Sequence, residues 1–165
     1  ENLSALLVTL KALADEYQFP IIVSTHPRTK KRLQGMGESL DHPLIRFEKP
    51  FGLFDYIRLQ MGAFCVLSDS GTITEETSLL NLPAITIRNV HERPEGMDEG
   101  TLIMSGLKVE RVLESVKIVT TQHDSEKRAF PIVKDYQAGP VSKQVLRIVM
   151  SYTDYINRTV WYKDT

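Results

Sequence analysis

Cysteine is nearly absent from this sequence of 165 residues: Cys65 is the only one, and one thiol cannot found a disulfide framework. It falls inside the apolar run Ala63 to Leu67, where a thiol reads as a small buried hydrophobe and not as a nucleophile. An excess of positive charge is lacking too. The 20 basic and 21 acidic residues leave a formal net charge of −1, with nothing spare to neutralise a polyphosphate backbone or an anionic membrane. No apolar stretch approaches the roughly 20 residues that cross a bilayer, and no basic segment followed by an apolar one opens the chain. We therefore expect a soluble, cytoplasmic protein with no nucleic-acid or membrane partner. His26, His42, His91 and His123 are scattered without the spacing that zinc sites use, so neither a structural metal nor a cofactor is expected.

What is present is enough apolar residue for a core, at 42% hydrophobic and 25% charged. Leu3, Leu6, Leu7, Leu10, Leu13, Ala14 and Tyr17 recur at the helical period from the first residues on. That helix has no cap and no strand ahead of it, so at least one strand is expected upstream. Phe19 to Thr25, Ala63 to Leu67 and Pro83 to Ile87 read as buried strands, and Ile45 to Phe47 as a weaker one. Helices are predicted over Phe51 to Met61, Thr72 to Leu80 and Lys108 to Thr121, and a long final helix over Val141 to about Trp161. Alternating apolar strands and helices predict an α/β fold with a doubly wound parallel sheet. The aromatic-rich tail of the final helix suits packing against another domain or subunit.

Chemistry concentrates where a buried strand runs into a helix, in Ser68 Asp69 Ser70 Gly71 Thr72 Ile73 Thr74 Glu75 Glu76. Small residues admit a ligand to the backbone, and free amides at the positive end of a helix attract phosphate. A capping box made by Thr72 and Glu75 is the structural alternative, and local sequence leaves the two near parity. Glu76 tips the balance, because helical spacing puts it between Ile73 and Leu80 on the inward face, where a carboxylate needs a partner. Vicinal ribose hydroxyls suit it. In the loop after the third long strand, Arg93 is a candidate diphosphate or sugar clamp and Arg88 a weaker one. His26 lies on the same sheet edge and is a weak catalytic candidate. Phe51 and Phe54 are core residues by default, and either could instead flank a base.

The run Asp69 to Glu76, followed by Pro83 and by His91 Glu92 Arg93 Pro94 Glu95, resembles the non-hydrolysing UDP-N-acetylglucosamine 2-epimerase family. Thr25 His26 Pro27 and Asp135 Tyr136 extend the likeness over nearly the whole chain. Ser70 Gly71 Thr72 and the tail Ser151 to Tyr155 look most like the branch that makes UDP-N-acetyl-L-fucosamine for capsule and O-antigen. The resemblance implies a glycosyltransferase-B-like enzyme of two Rossmann-like domains, of which this is the carboxy-terminal one. Residues 1–140 would be the UDP-binding domain and 141–165 a helix packed on the absent amino-terminal domain. Such enzymes invert C2 by eliminating UDP to a 2-acetamidoglycal and adding it back after the proton is replaced. Carried over by motif, Ser70, Gly71 and Thr72 would hold the diphosphate, Glu76 the ribose and Arg93 the phosphate or sugar region, with His26 and Phe51 nearby. The acid and base at C2 would lie mostly in the absent half, leaving this piece inactive alone; the whole enzyme would be a homodimer that binds UDP and a UDP-N-acetylhexosamine.

Two alternatives stay open at this point. One is the donor-binding domain of a glycosyltransferase of the same overall fold. The other is a non-catalytic module that binds UDP-sugars.

Overall fold

The computed structural model describes residues 2–35, 42–90 and 92–163. The chain divides into two compact units, residues 1–133 and 134–165. In the first, helix and strand alternate as α1 (Asn2–Tyr17), β1 (Ile21–Ser24), α2 (Pro27–Gly35), β2 (Ile45–Glu48), α3 (Leu53–Met61), β3 (Val66–Ser68) and α4 (Ile73–Leu80). There follow β4 (Ala84–Thr86), a single turn α5 (Glu95–Asp98), β5 (Ile103–Met104) and α6 (Val109–Gln122). Every strand pairing is parallel, β1 with β2, β3 with β4 and β4 with β5. The expected α/β class is the one observed.

Three apolar clusters explain why helices lie on both faces. Leu13 of α1 and Val112 and Val116 of α6 bury Ile85 of β4 from one side. Ile73 of α4 joins Val66, Leu82, Ala84 and Leu102 on the other. The alternation of Ala84, Ile85 and Thr86 along β4, all buried, sends side chains to both layers. Leu10 and Ala14 of α1 meet Ile45, with Ile21 and Val23 of β1 alongside.

The sheet is not continuous. β2-β1 and β3-β4-β5 form separate hydrogen-bonded groups, and between them runs an open cavity of about 880 Å³ lined by all of β1 and by Val66 and Leu67 of β3. Its floor lies at the amino ends of the strands, where Phe64 stacks near Tyr17 and Phe19 at centroid distances of 5.3 and 5.0 Å. Its other lining residues include Thr25, His26 and Asp69, which follow the carboxyl ends of β1 and β3. The gap corrects the reading of residues 19 to 25 as a fully buried strand. Along β1, Ile21 and Val23 are partly covered, Ile22 and Ser24 are exposed, and Phe19 is half exposed.

The second unit consists of a 3-10 turn (Lys134–Gln137) and α7 (Val141–Thr159). Gln144 Nε2 donates to the Ala138 carbonyl at 2.8 Å, tying the turn to the helix start. Val141, Val145, Ile148, Val149, Tyr152 and Tyr155 of α7 are all more than half exposed. Among the described residues no helix is long and apolar enough to cross a membrane.

Candidate functional site

Buried β3 ends at Ser68, and the chain needs four residues to turn into α4. The turn ties itself together through hydroxyls. Ser70 N–H donates to Ser68 Oγ at 3.0 Å, Ser70 Oγ lies 3.0 Å from Thr72 Oγ1, and Thr72 N–H reaches Ser70 Oγ at 3.4 Å. Two loop amides are thus engaged internally, while those of Gly71 and Ile73 have no acceptor among the described residues. Ser70 and Thr72 are exposed, so the loop is open to a ligand. The capping-box alternative is not realised: Thr72 makes no side-chain cap, and Glu75 turns outward to Arg93.

Arg93 is brought to this loop. One of its guanidinium nitrogens lies 3.1 Å from both carboxylate oxygens of Glu75. A methyl group added at Gly71 would sit 2.9 Å from Arg93 Nη1 and 3.9 Å from Arg88 Nη1. Glycine therefore gives the Arg93 guanidinium room to close over the backbone at the mouth of α4, with Arg88 at ordinary contact distance beside it. Two cations beside unoccupied amides at a helix start make an anion site of one contiguous surface. Arg88, the weaker candidate from sequence, lies beside it but further off than Arg93. His91, between them in the chain, lies outside the described residues.

Glu76 lies one helical position further in. Its Oε2 accepts from Gln60 Nε2 at 2.6 Å, so the partner that an inward carboxylate requires is partly an amide of α3. Tyr56 stands in the same cluster. Burial raises its hydroxyl pKa first, the negative charges of Glu76 and Asp69 raise it further, and a hydrogen bond with the Gln60 side chain offsets part of the rise. His26, Phe51, Tyr56, Gln60 and Asp69 all line the cavity between the two strand groups, while Ser70, Gly71, Thr72, Glu76 and Arg93 do not; Gln60 links the two sets through its bond to Glu76. Phe54 does not belong there: it is 88% exposed on α3, because that helix turns its Tyr56 and Gln60 side inward, and the default reading of Phe54 as core is wrong. Tyr56 and Gln60 were missed from sequence. Their spacing of four residues on one helix face, opposite an inward glutamate, was the available signal.

Cys65 is inert in this setting, burial pushing its thiol from an ordinary 9.0 up to about 12. Among the described residues, no group of three or more His, Cys, Asp or Glu side chains is placed to hold a metal ion.

This chain is similar to solved and curated nucleotide-sugar epimerases. The structure of UDP-N-acetylglucosamine 2-epimerase from Rickettsia bellii is 62% identical and superposes with a TM-score of 0.90 over 98% of this chain and 44% of that one. The Methanocaldococcus jannaschii enzyme, in complex with UDP-GlcNAc and UDP, is 29% identical with a TM-score of 0.80 over 91% of this chain and 41% of that one. The UDP-N-acetylglucosamine 2-epimerase of Methanococcus maripaludis is 33% identical over 71% of this chain and 33% of its own length. The chain thus spans about a third to under a half of the relatives it matches. The sequence profile of the UDP-N-acetylglucosamine 2-epimerases matches residues 1–150, and with the parallel α/β fold and the arginine-covered loop already described, the chain belongs to that family.

Proposed function

We propose that this chain is the UDP-holding, carboxy-terminal half of a UDP-N-acetylhexosamine 2-epimerase. The observation that carries the reading is the closure of Arg93 over Gly71 at the start of α4, with Arg88 beside it. In this reading the diphosphate lies against the free amides of Gly71 and Ile73 with Ser70 and Thr72 beside it. Glu76 takes the ribose hydroxyls. The Phe51, Tyr56 and His26 side of the cavity faces the rest of the nucleotide. UDP must depart as an anion and stay bound until it is added back, so donors fixed on the leaving diphosphate stabilise the charge that develops as the C1–O bond breaks. This half would do that work and no proton transfer, His26 being its one weak catalytic candidate.

A 2-epimerase also needs groups at C2, which the reading assigns to an amino-terminal domain of the full-length protein. Two features support such a domain. The exposed apolar side chains of α7 form a stripe larger than scattered surface residues, and residues 141–165 are proposed to pack on it. The parallel strands β1 and β3 are not paired with each other, and α1 leads back to β1 as a crossover helix would. We assign the gap to a strand upstream of α1. In this reading residues 1–140 are the UDP-binding domain, the isolated chain is inactive and the whole enzyme is a cytoplasmic homodimer. The Ser70 Gly71 Thr72 form and the Ser151 to Tyr155 tail favour a role in UDP-N-acetyl-L-fucosamine synthesis for capsule or O-antigen.

The test is incubation of the full-length protein with UDP-N-acetylglucosamine in heavy water. Deuterium at C2 of recovered substrate and product is expected. Transfer of the sugar to an acceptor without deuterium uptake would assign the protein to the glycosyltransferases, and tight UDP binding with neither reaction would make it a binding module.

A further inference from the structure

Gln60 is an odd choice for its position. It is 3% exposed, and its Oε1 is buried with no hydrogen-bond partner among the described residues. A half-satisfied amide in such a place costs stability that an apolar side chain of the same length would not. Packing alone therefore does not select glutamine here. Its Nε2, by contrast, makes one of the shortest side-chain bonds in the molecule, 2.6 Å to Glu76 Oε2, and the carboxylate acceptor makes this a charge-assisted hydrogen bond. Exchanging the amide's oxygen and nitrogen would set two acceptors against each other, so the donor must face the carboxylate.

Resting on the ribose reading of Glu76, we propose that Gln60 is a positioning residue for the nucleoside. It holds one carboxylate oxygen of Glu76 from the buried side, which leaves the other oxygen to face the ligand's vicinal hydroxyls. A carboxylate has about four lone-pair sites, so the tether leaves enough for both hydroxyls. It also removes rotamer freedom that an untethered glutamate would lose only when the ligand arrives. Tyr56, four residues earlier on α3 and in the electrostatic reach of Glu76 and Asp69, closes the same cluster. Gln60 touches no ligand atom; its effect passes through Glu76.

The experiment compares UDP with 2′,3′-dideoxyuridine diphosphate, which lacks both hydroxyls, on the full-length protein by calorimetric titration. The native protein should prefer UDP by roughly tenfold to a hundredfold. Gln60→Met should cut that preference by about threefold to tenfold and leave the dideoxy affinity unchanged. Gln60→Leu serves the same purpose should the Met variant fold poorly. An undiminished preference, or an equal loss for both ligands as a merely structural tether would give, overturns the proposal. Glu76→Gln separates the two levels of the argument. If Glu76→Gln abolishes the preference while both Gln60 variants retain it, the ribose role of Glu76 survives and the positioning role fails; if Glu76→Gln retains it, the ribose role fails and the positioning role with it.

Discussion

Gly71 shows how one residue's lack of a side chain organises a site. Its missing Cβ leaves the space into which Arg93 Nη1 closes, so Gly71→Ala must shift the tip of that flexible side chain by a few tenths of an ångström and should weaken UDP less than Arg93→Ala, which removes the group altogether. Arg93→Ala should weaken UDP by about 1.5–3 kcal/mol, the range for a hydrogen bond to a charged group, while uridine, which has no phosphate, binds nearly as before. Equal losses for UDP and uridine would place the arginine elsewhere than on the diphosphate. Cys65 gives a second prediction at this scale. Its thiol is raised from 9.0 to about 12, so at pH 8 only about one molecule in ten thousand carries a thiolate, and thiol reagents should react far more slowly with the folded protein than with the unfolded chain. The unfolded chain loses that proton near its ordinary value while the folded one keeps it. Stability contributed by the protonated thiol is therefore complete below pH 9 and lost as pH rises toward 12. Fast labelling of the native protein at pH 8 would contradict this.

At the scale of elements, the apolar pieces were legible in the sequence, down to the three-residue strands β3 and β4, while the mostly polar nine-residue helix α2 was not. The leucine repeat of α1 and the apolar run ahead of Ser68 carry their own signal, because burial imposes a period. α5 is one turn and β5 two residues, too short for any period to declare itself. The anion loop was legible as a strand-to-helix junction of small residues. The role of Glu75 was not, because its partner Arg93 lies 18 residues on and spacing says nothing about such a meeting. Gln60 and Tyr56 were hidden for the same reason: helical spacing names a face but not what faces it. The gap between β1 and β3 was not legible; a strand upstream of α1 was expected from the sequence, and placing that strand in the gap is a proposal. Extending the chain upstream through one further strand should bury the β1 and β3 edges and the Phe19 and Phe64 end of the cavity, leaving the His26 and Asp69 end open, and should raise the thermal midpoint by roughly 10 °C. An unchanged midpoint would contradict the assignment of the gap.

At the scale of the whole molecule, the proposal divides the reaction between this chain and another part of the full-length protein. This chain supplies cations, amides and a carboxylate suited to a nucleoside diphosphate, with no metal cluster among its described residues and a thiol too weak an acid to serve as nucleophile. A domain so equipped can hold a leaving group, and epimerisation requires that the leaving group be held. The central claim is that UDP binds with its diphosphate on the Ser70 to Thr72 turn. A crystal of the full-length protein soaked with UDP tests it most directly. The account predicts phosphate oxygens within hydrogen-bond distance of the Gly71 and Ile73 amides and of Arg93, with a ribose hydroxyl on Glu76; a diphosphate bound away from that turn would contradict it.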